Sequence, residues 1–77
     1  MDKIQNIVIL GGGESGYGSA VLAKSKGFDT FLSDSGTLSE KYRTLLTAEG
    51  IEFEEGGHTE ERILAADLVI KSPGIPE

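Results

Sequence analysis

Seventy-seven residues make one domain at most, and a chain of that size buries only about 60% of the surface that it exposes when unfolded. Without Cys there are neither disulfides nor thiolate metal sites, and the longest uninterrupted apolar run is four residues, against the roughly 20 that span a bilayer. A net charge of −6 argues against nucleic-acid binding, and the polar opening Met1-Asp2-Lys3 does not read as a signal peptide. The expectation is a soluble, cytoplasmic chain in which any anionic ligand is held by backbone dipoles.

Ile4 to Leu10 is a nearly continuous β-branched apolar run, as expected of a central parallel strand. Gly11-Gly12-Gly13-Glu14-Ser15-Gly16 follows it directly and fits G-x-G-x-x-G. In that pattern the first glycine turns tightly, the second lets backbone approach a pyrophosphate and the third lets helix pack closely on sheet. A helix is predicted from about Ser15 to Lys26, with small Gly16, Ala20 and Ala23 on one face and Gly27 as its C-cap. Its N-terminus offers unpaired N–H groups to a phosphate.

Phe28 to Ser33 reads as the second strand, ending in the turn Asp34-Ser35-Gly36. Thr37-Leu38-Ser39-Glu40 matches a capping box, which predicts a helix with Leu38, Tyr42 and Leu45 as its apolar stripe and Gly50 as its stop. Ile51 to Glu54 alternates apolar with acidic, the mark of a short edge strand, and Gly56-Gly57 ends it. Thr59 is expected to cap a short helix through Ala65 or Ala66 with Ile63 and Leu64 turned inward. Asp67 to Lys71 is a fourth strand, stopped by Ser72-Pro73-Gly74.

Four strands alternating with three helices imply an α/β, Rossmann-like domain over 1–77: a parallel sheet in the order 3-2-1-4 with right-handed crossovers and helices on both faces. The last residues, Ile75-Pro76-Glu77, are followed by no further element, so the expectation is a domain cut from something longer. Ligands of such sheets bind beyond the carboxyl ends of the strands, where the glycine loop, Asp34-Ser35-Gly36 and Ser72-Pro73-Gly74 converge. The loop suits a diphosphate. Asp34 can accept from ribose hydroxyls or from a uracil N–H, or can serve only as a turn former. Glu14 is expected to face solvent, Tyr17 to be a partly buried packing residue, the lone His58 to be a surface residue, and Glu52, Glu54, Glu55, Glu60 and Glu61 to form a solvated rim. No catalytic constellation and no metal site are expected.

Three segments together resemble the N-terminal domain of the Mur ligase family, and its D-glutamate-adding branch most closely. They are Asn6 to Gly16, Leu32-Ser33-Asp34-Ser35, and Ala65-Ala66-Asp67-Leu68-Val69-Ile70-Lys71-Ser72-Pro73-Gly74-Ile75, and the likeness extends over essentially all 77 residues. The resemblance implies a domain that holds the UDP part of UDP-N-acetylmuramoyl-L-alanine. By position, Gly13, Glu14, Ser15 and Gly16 would face the diphosphate mainly through backbone, while Asp34 with Ser35, and Ser72, Pro73 and Gly74, would bracket the uridine. Gly36, where a basic or larger residue often stands, and acidic Glu14 depart from the family pattern. The resemblance also implies ATP and Mg in a central domain, whose G-T-N-G-K-S/T loop has no counterpart here. There ATP activates the substrate carboxylate as an acyl phosphate for attack by the D-glutamate amine, so the 77 residues are expected to bind but not to catalyse, with the remaining ligase domains supplied in cis. An NAD-binding Rossmann domain, from a dehydrogenase or a non-catalytic regulatory sensor, also accounts for the loop and Asp34. The Ser72-Pro73-Gly74 ending tilts the reading away from it.

Overall fold

A computed structural model describes residues 5–71. In chain order the elements are β1 (Asn6–Leu10), α1 (Gly13–Ser25), β2 (Asp29–Ser33), α2 (Glu40–Ala48), β3 (Glu52–Glu54), α3 (Glu60–Ala65) and β4 (Leu68–Lys71). The strands form one parallel sheet in the expected order β3-β2-β1-β4. β1 is central because its run Ile7-Val8-Ile9 has no polar face to offer to water, and all three residues are buried. Its register sets Val8 between Phe31 of β2 and Val69 of β4.

Alternation along the strands divides the apolar residues between two layers. On one face Ile7, Ile9 and Leu32 pack with Ala20 and Ala23 of α1, Leu46 of α2, and Leu38 and Ile51 from the flanking loops. The alanines and Gly16 keep α1 close to the sheet. Val8 and Phe31 point to the opposite face, where α3 lies over them. There the Arg62 guanidinium sits 3.8 Å from the Phe31 ring centroid and is held by both oxygens of Glu52 at 2.9 Å. Glu52 is thus an ion-pair partner rather than a bare rim charge.

Both long helices end in the same glycine device. Gly27 and Gly50 adopt φ of +91° and +72°. Phe28 N–H donates to the Ala23 carbonyl and Gly27 N–H to that of Lys24, and Ile51 and Gly50 repeat the pattern on Leu46 and Thr47. These are Schellman motifs, and the second is sealed by contact between buried Ile51 and Leu46.

Three local expectations are corrected. α1 begins at Gly13, inside the glycine loop, rather than at Ser15. The N-cap of α2 is Ser39, whose hydroxyl accepts from Tyr42 N–H at 3.4 Å, and Thr37 lies outside the helix; Leu46 is accordingly the fully buried residue of that helix. Leu64 is 77% exposed, because in a six-residue helix that rests Arg62 and Ile63 against the sheet the next residue is rotated about 100° away.

Leu46 sits where α2 meets the core and has no accessible surface. Leu46→Ala is expected to cost about 2–5 kcal/mol. For a domain this small the urea midpoint should drop far enough to leave much of the variant unfolded at 25 °C.

Candidate functional site

The head of the sheet is built by the glycine loop. As β1 ends, Gly11 N–H donates to the Ser33 carbonyl at 2.7 Å, and Gly11 turns with φ +103°. Gly12 is the extended N-cap of α1 and has no side chain to cap it, and Gly13 follows with φ +79°. The first-turn N–H groups of α1 therefore meet no side-chain acceptor from the cap position, at the positive end of a 13-residue helix. A Cβ on Gly12 would overlap Leu38, and one on Gly16 would overlap the Gly11 carbonyl. Gly16 thus serves close packing as expected, but chiefly against the loop itself. A Cβ on Gly13 would meet nothing within 4 Å, so the backbone there is open to a ligand. Glu14 and Ser15 are exposed, and the Glu14 carboxylate does not occupy the cleft lining.

Asp34 does more than begin a turn. Its Oδ2 accepts from Gly12 N–H and its Oδ1 from Gly36 N–H, each at 2.7 Å, so one carboxylate ties the glycine loop to the loop after β2. Each oxygen retains a lone pair for a ligand donor. The β2 loop is further tied to the loop after β3 by Gly56 N–H donating to the Gly36 carbonyl at 2.8 Å and by Glu55 accepting from Leu38 N–H at 2.8 Å. Glu55 also lies 3.7 Å from Arg43, so it is a brace and not a free rim charge.

Between these loops lies a cleft of about 500 Å³, bounded by Gly11 to Gly13, Asp34, Ser35, Leu38, Tyr42, His58 and Lys71. Tyr17, half-buried as expected, packs on Tyr42 with ring centroids 5.8 Å apart and so supports the cleft wall from behind. A second hollow of about 430 Å³ at the amino ends of the strands, beside Lys24, Asp29 and Arg62, has no glycine loop and no helix N-terminus. The carboxyl-end cleft is the one that fits the general rule for open α/β sheets. Ser72, Pro73 and Gly74 lie outside the described residues.

Sequence reasoning missed the polar cluster under the cleft. Ser33 is fully buried, and its hydroxyl lies 2.7 Å from Glu54 Oε2 and 2.5 Å from His58 Nδ1. Glu54 also receives the Thr59 N–H at 2.6 Å and the Thr59 hydroxyl at 2.5 Å. Thr59 thus spends its side chain on Glu54 instead of on its own helix. The hydrogen bond from the Thr59 hydroxyl, joined by those from Thr59 N–H and Ser33 and by nearby His58, holds the Glu54 carboxyl below its ordinary value against the opposing effect of burial. His58 is exposed, as expected of it, yet anchored.

Gly16→Ala should cost at least about 1–3 kcal/mol, because its methyl collides with backbone that cannot step aside, and the loss should show in the urea midpoint. Asp34→Ala leaves two N–H groups without acceptors and should cost about 1–3 kcal/mol, with faster amide hydrogen exchange at Gly12 and Gly36. A folded-state pKa below the ordinary one stabilises the fold above the ordinary carboxylate range, and that stabilisation disappears as pH falls through the folded-state value. Acidification should therefore lower the protection of the Thr59 amide, and Glu54→Gln should flatten that acid limb.

Comparison with known proteins agrees with this geometry. Residues 6–77 match the family described as the MurD N-terminal domain. Over 73 residues, 95% of this chain, it is 64% identical to the UDP-N-acetylmuramoylalanine--D-glutamate ligase of Bacteroides fragilis and 59% identical to that of Cytophaga hutchinsonii. The same-named protein of Porphyromonas gingivalis is 51% identical over the full chain. This chain spans 16–17% of the length of those relatives. With a parallel 3-2-1-4 sheet, a glycine loop leading into α1 and a family match over nearly every residue, the chain belongs to the MurD N-terminal domain family.

Proposed function

We propose that this domain holds the uridine diphosphate part of UDP-N-acetylmuramoyl-L-alanine for a cytoplasmic ligase of peptidoglycan-precursor synthesis that adds D-glutamate. The observation that carries the reading is the side-chain-free N-terminus of α1, opening with Gly13 at φ +79° into the cleft that Asp34 and Ser35 also line. The backbone N–H groups of Gly13, Glu14 and Ser15 supply donors for the diphosphate, while Gly16, whose N–H closes the first helical turn on the N-cap Gly12, lets the loop approach closely. The spare lone pairs of Asp34, with Ser35 beside it, supply acceptors and backbone for the uridine. Ser72, Pro73 and Gly74, directly after β4, complete that bracket in this reading. Gly36 presents no side chain, so a base has room to lie against the β2 loop.

The residues present do not fit ATP or Mg. The sequence contains no G-K-S/T, and among the described residues no three His, Asp or Glu side chains are grouped to hold a metal. The contribution of this domain is therefore binding and orientation, and the amide-forming chemistry falls to the rest of the longer protein. Among the described residues no helix is long and apolar enough to cross a membrane.

An NMR titration of the ¹⁵N-labelled chain tests the assignment against a dinucleotide site. UDP should move the backbone amides of Gly13 to Gly16, Ser35 and Gly74 more than NADH does at equal concentration. With only one domain of the substrate site present, the affinity is expected near millimolar, about −4 kcal/mol. A larger response to NADH at the same amides would favour the dehydrogenase-like alternative.

A further inference from the structure

His58, the chain's one histidine, reaches the cleft with its orientation already fixed from behind. Ser33 has a single hydroxyl proton and two short contacts, to Glu54 Oε2 and to His58 Nδ1, with the Gly57 carbonyl farther off at 3.4 Å. Glu54 accepts both the N–H and the hydroxyl of Thr59, which favour its ionised form, and an ionised carboxylate only accepts. The Ser33 proton therefore goes to Glu54, and the contact to His58 must be donated by its Nδ1–H. In the neutral ring this leaves Nε2 as the nitrogen with the lone pair, directed away from Ser33 and without a hydrogen-bond partner among the described residues.

Resting on the uridine diphosphate reading of the cleft, we infer that His58 Nε2 accepts a hydrogen bond from the nucleoside half of the ligand, a ribose hydroxyl or an imide N–H, and that Ser33 and Glu54 are positioning residues that fix its ring and tautomer. Phosphate oxygens are acceptors and have nothing to give that lone pair. Their partners are the N–H groups of α1 on the other side of the cleft. The site thereby sorts the two halves of the ligand by hydrogen-bond polarity.

With one histidine, the ring nitrogens of the ¹⁵N-labelled chain give a single assignable pair. Under conditions in which the ring is neutral, the free chain should show the Nδ1-protonated tautomer. Addition of UMP should move Nε2 together with the amides of Gly13 to Gly16, whereas inorganic pyrophosphate should move those amides alone. His58→Asn, which keeps a donor near the Nδ1 position and removes Nε2, should weaken UMP about three- to tenfold, as for one neutral hydrogen bond, and leave pyrophosphate unchanged. An Nε2-protonated ring, or amides that respond to UMP while Nε2 stays still, would overturn the inference and leave the diphosphate assignment standing. Amides that respond to neither ligand would overturn both.

Discussion

The carboxylate of Asp34 is the constraint on which the head of this domain depends. Parallel strands leave their carboxyl ends joined by no hairpin, so the loops that follow β1 and β2 must be held together by something other than a turn. Asp34 does this with two backbone hydrogen bonds, one to each loop. The bond to Gly12 fixes where α1 begins, and hence the direction in which its first-turn N–H groups point. Leu38 closes over the same glycine, so the position of a core residue and the shape of the loop are settled together. A residue that reads as an ordinary turn former is thereby structural and ligand-facing at once.

Much of the fold was legible because its signals are local. Ile7-Val8-Ile9 announces a central strand, Glu52-Phe53-Glu54 an edge, and Gly27 and Gly50 the ends of two helices, each through a few consecutive residues. Errors arose where only tertiary contact sets the phase of a helix. Taking Thr37 for the cap in place of Ser39 counts Leu38 as part of α2, and the helical stripe drawn from it through Tyr42 to Leu45 passes about 100° to one side of Leu46, the residue that is buried. The six residues of α3 are too few to establish a face, and the sheet chose Arg62, with its alkyl stem and guanidinium on Phe31, over the more apolar Leu64.

For the site, the glycine loop was legible as a motif and its convergence with Asp34-Ser35 from the topology, whereas the hydrogen bonds that join these groups were not. Asp34 and Gly12 are 22 residues apart, and Ser33 and His58 are 25 apart. The dinucleotide spacing points Asp34 at a ligand rather than at Gly12, and no spacing rule connects Ser33 with His58. A weak signal did exist at Ser33: a small polar residue ending an otherwise apolar strand is buried only if it has partners. The acidic residues at the end of β3 were the larger misjudgement, since a dense run of Glu suggests a solvated surface. Glu54 and Glu55 are instead the acceptors that hold the loop after β3 against the end of β2 and the loop that follows it.

The described sheet has two unlike edges. β3 carries Glu52 and Glu54 on either side of one apolar residue and is three residues long, so a strand approaching it meets charge that must be desolvated. β4 presents Leu68 and Val69, each 39% exposed. Charge and brevity are both recognised guards against edge-to-edge pairing, but they answer differently to the solvent. The guard on β3 is electrostatic and weakens as ionic strength rises. β4 has Lys71 at its end as well as its shortness, but sets them beside exposed apolar residues whose burial salting-out conditions favour, so the two described edges answer differently to the solvent.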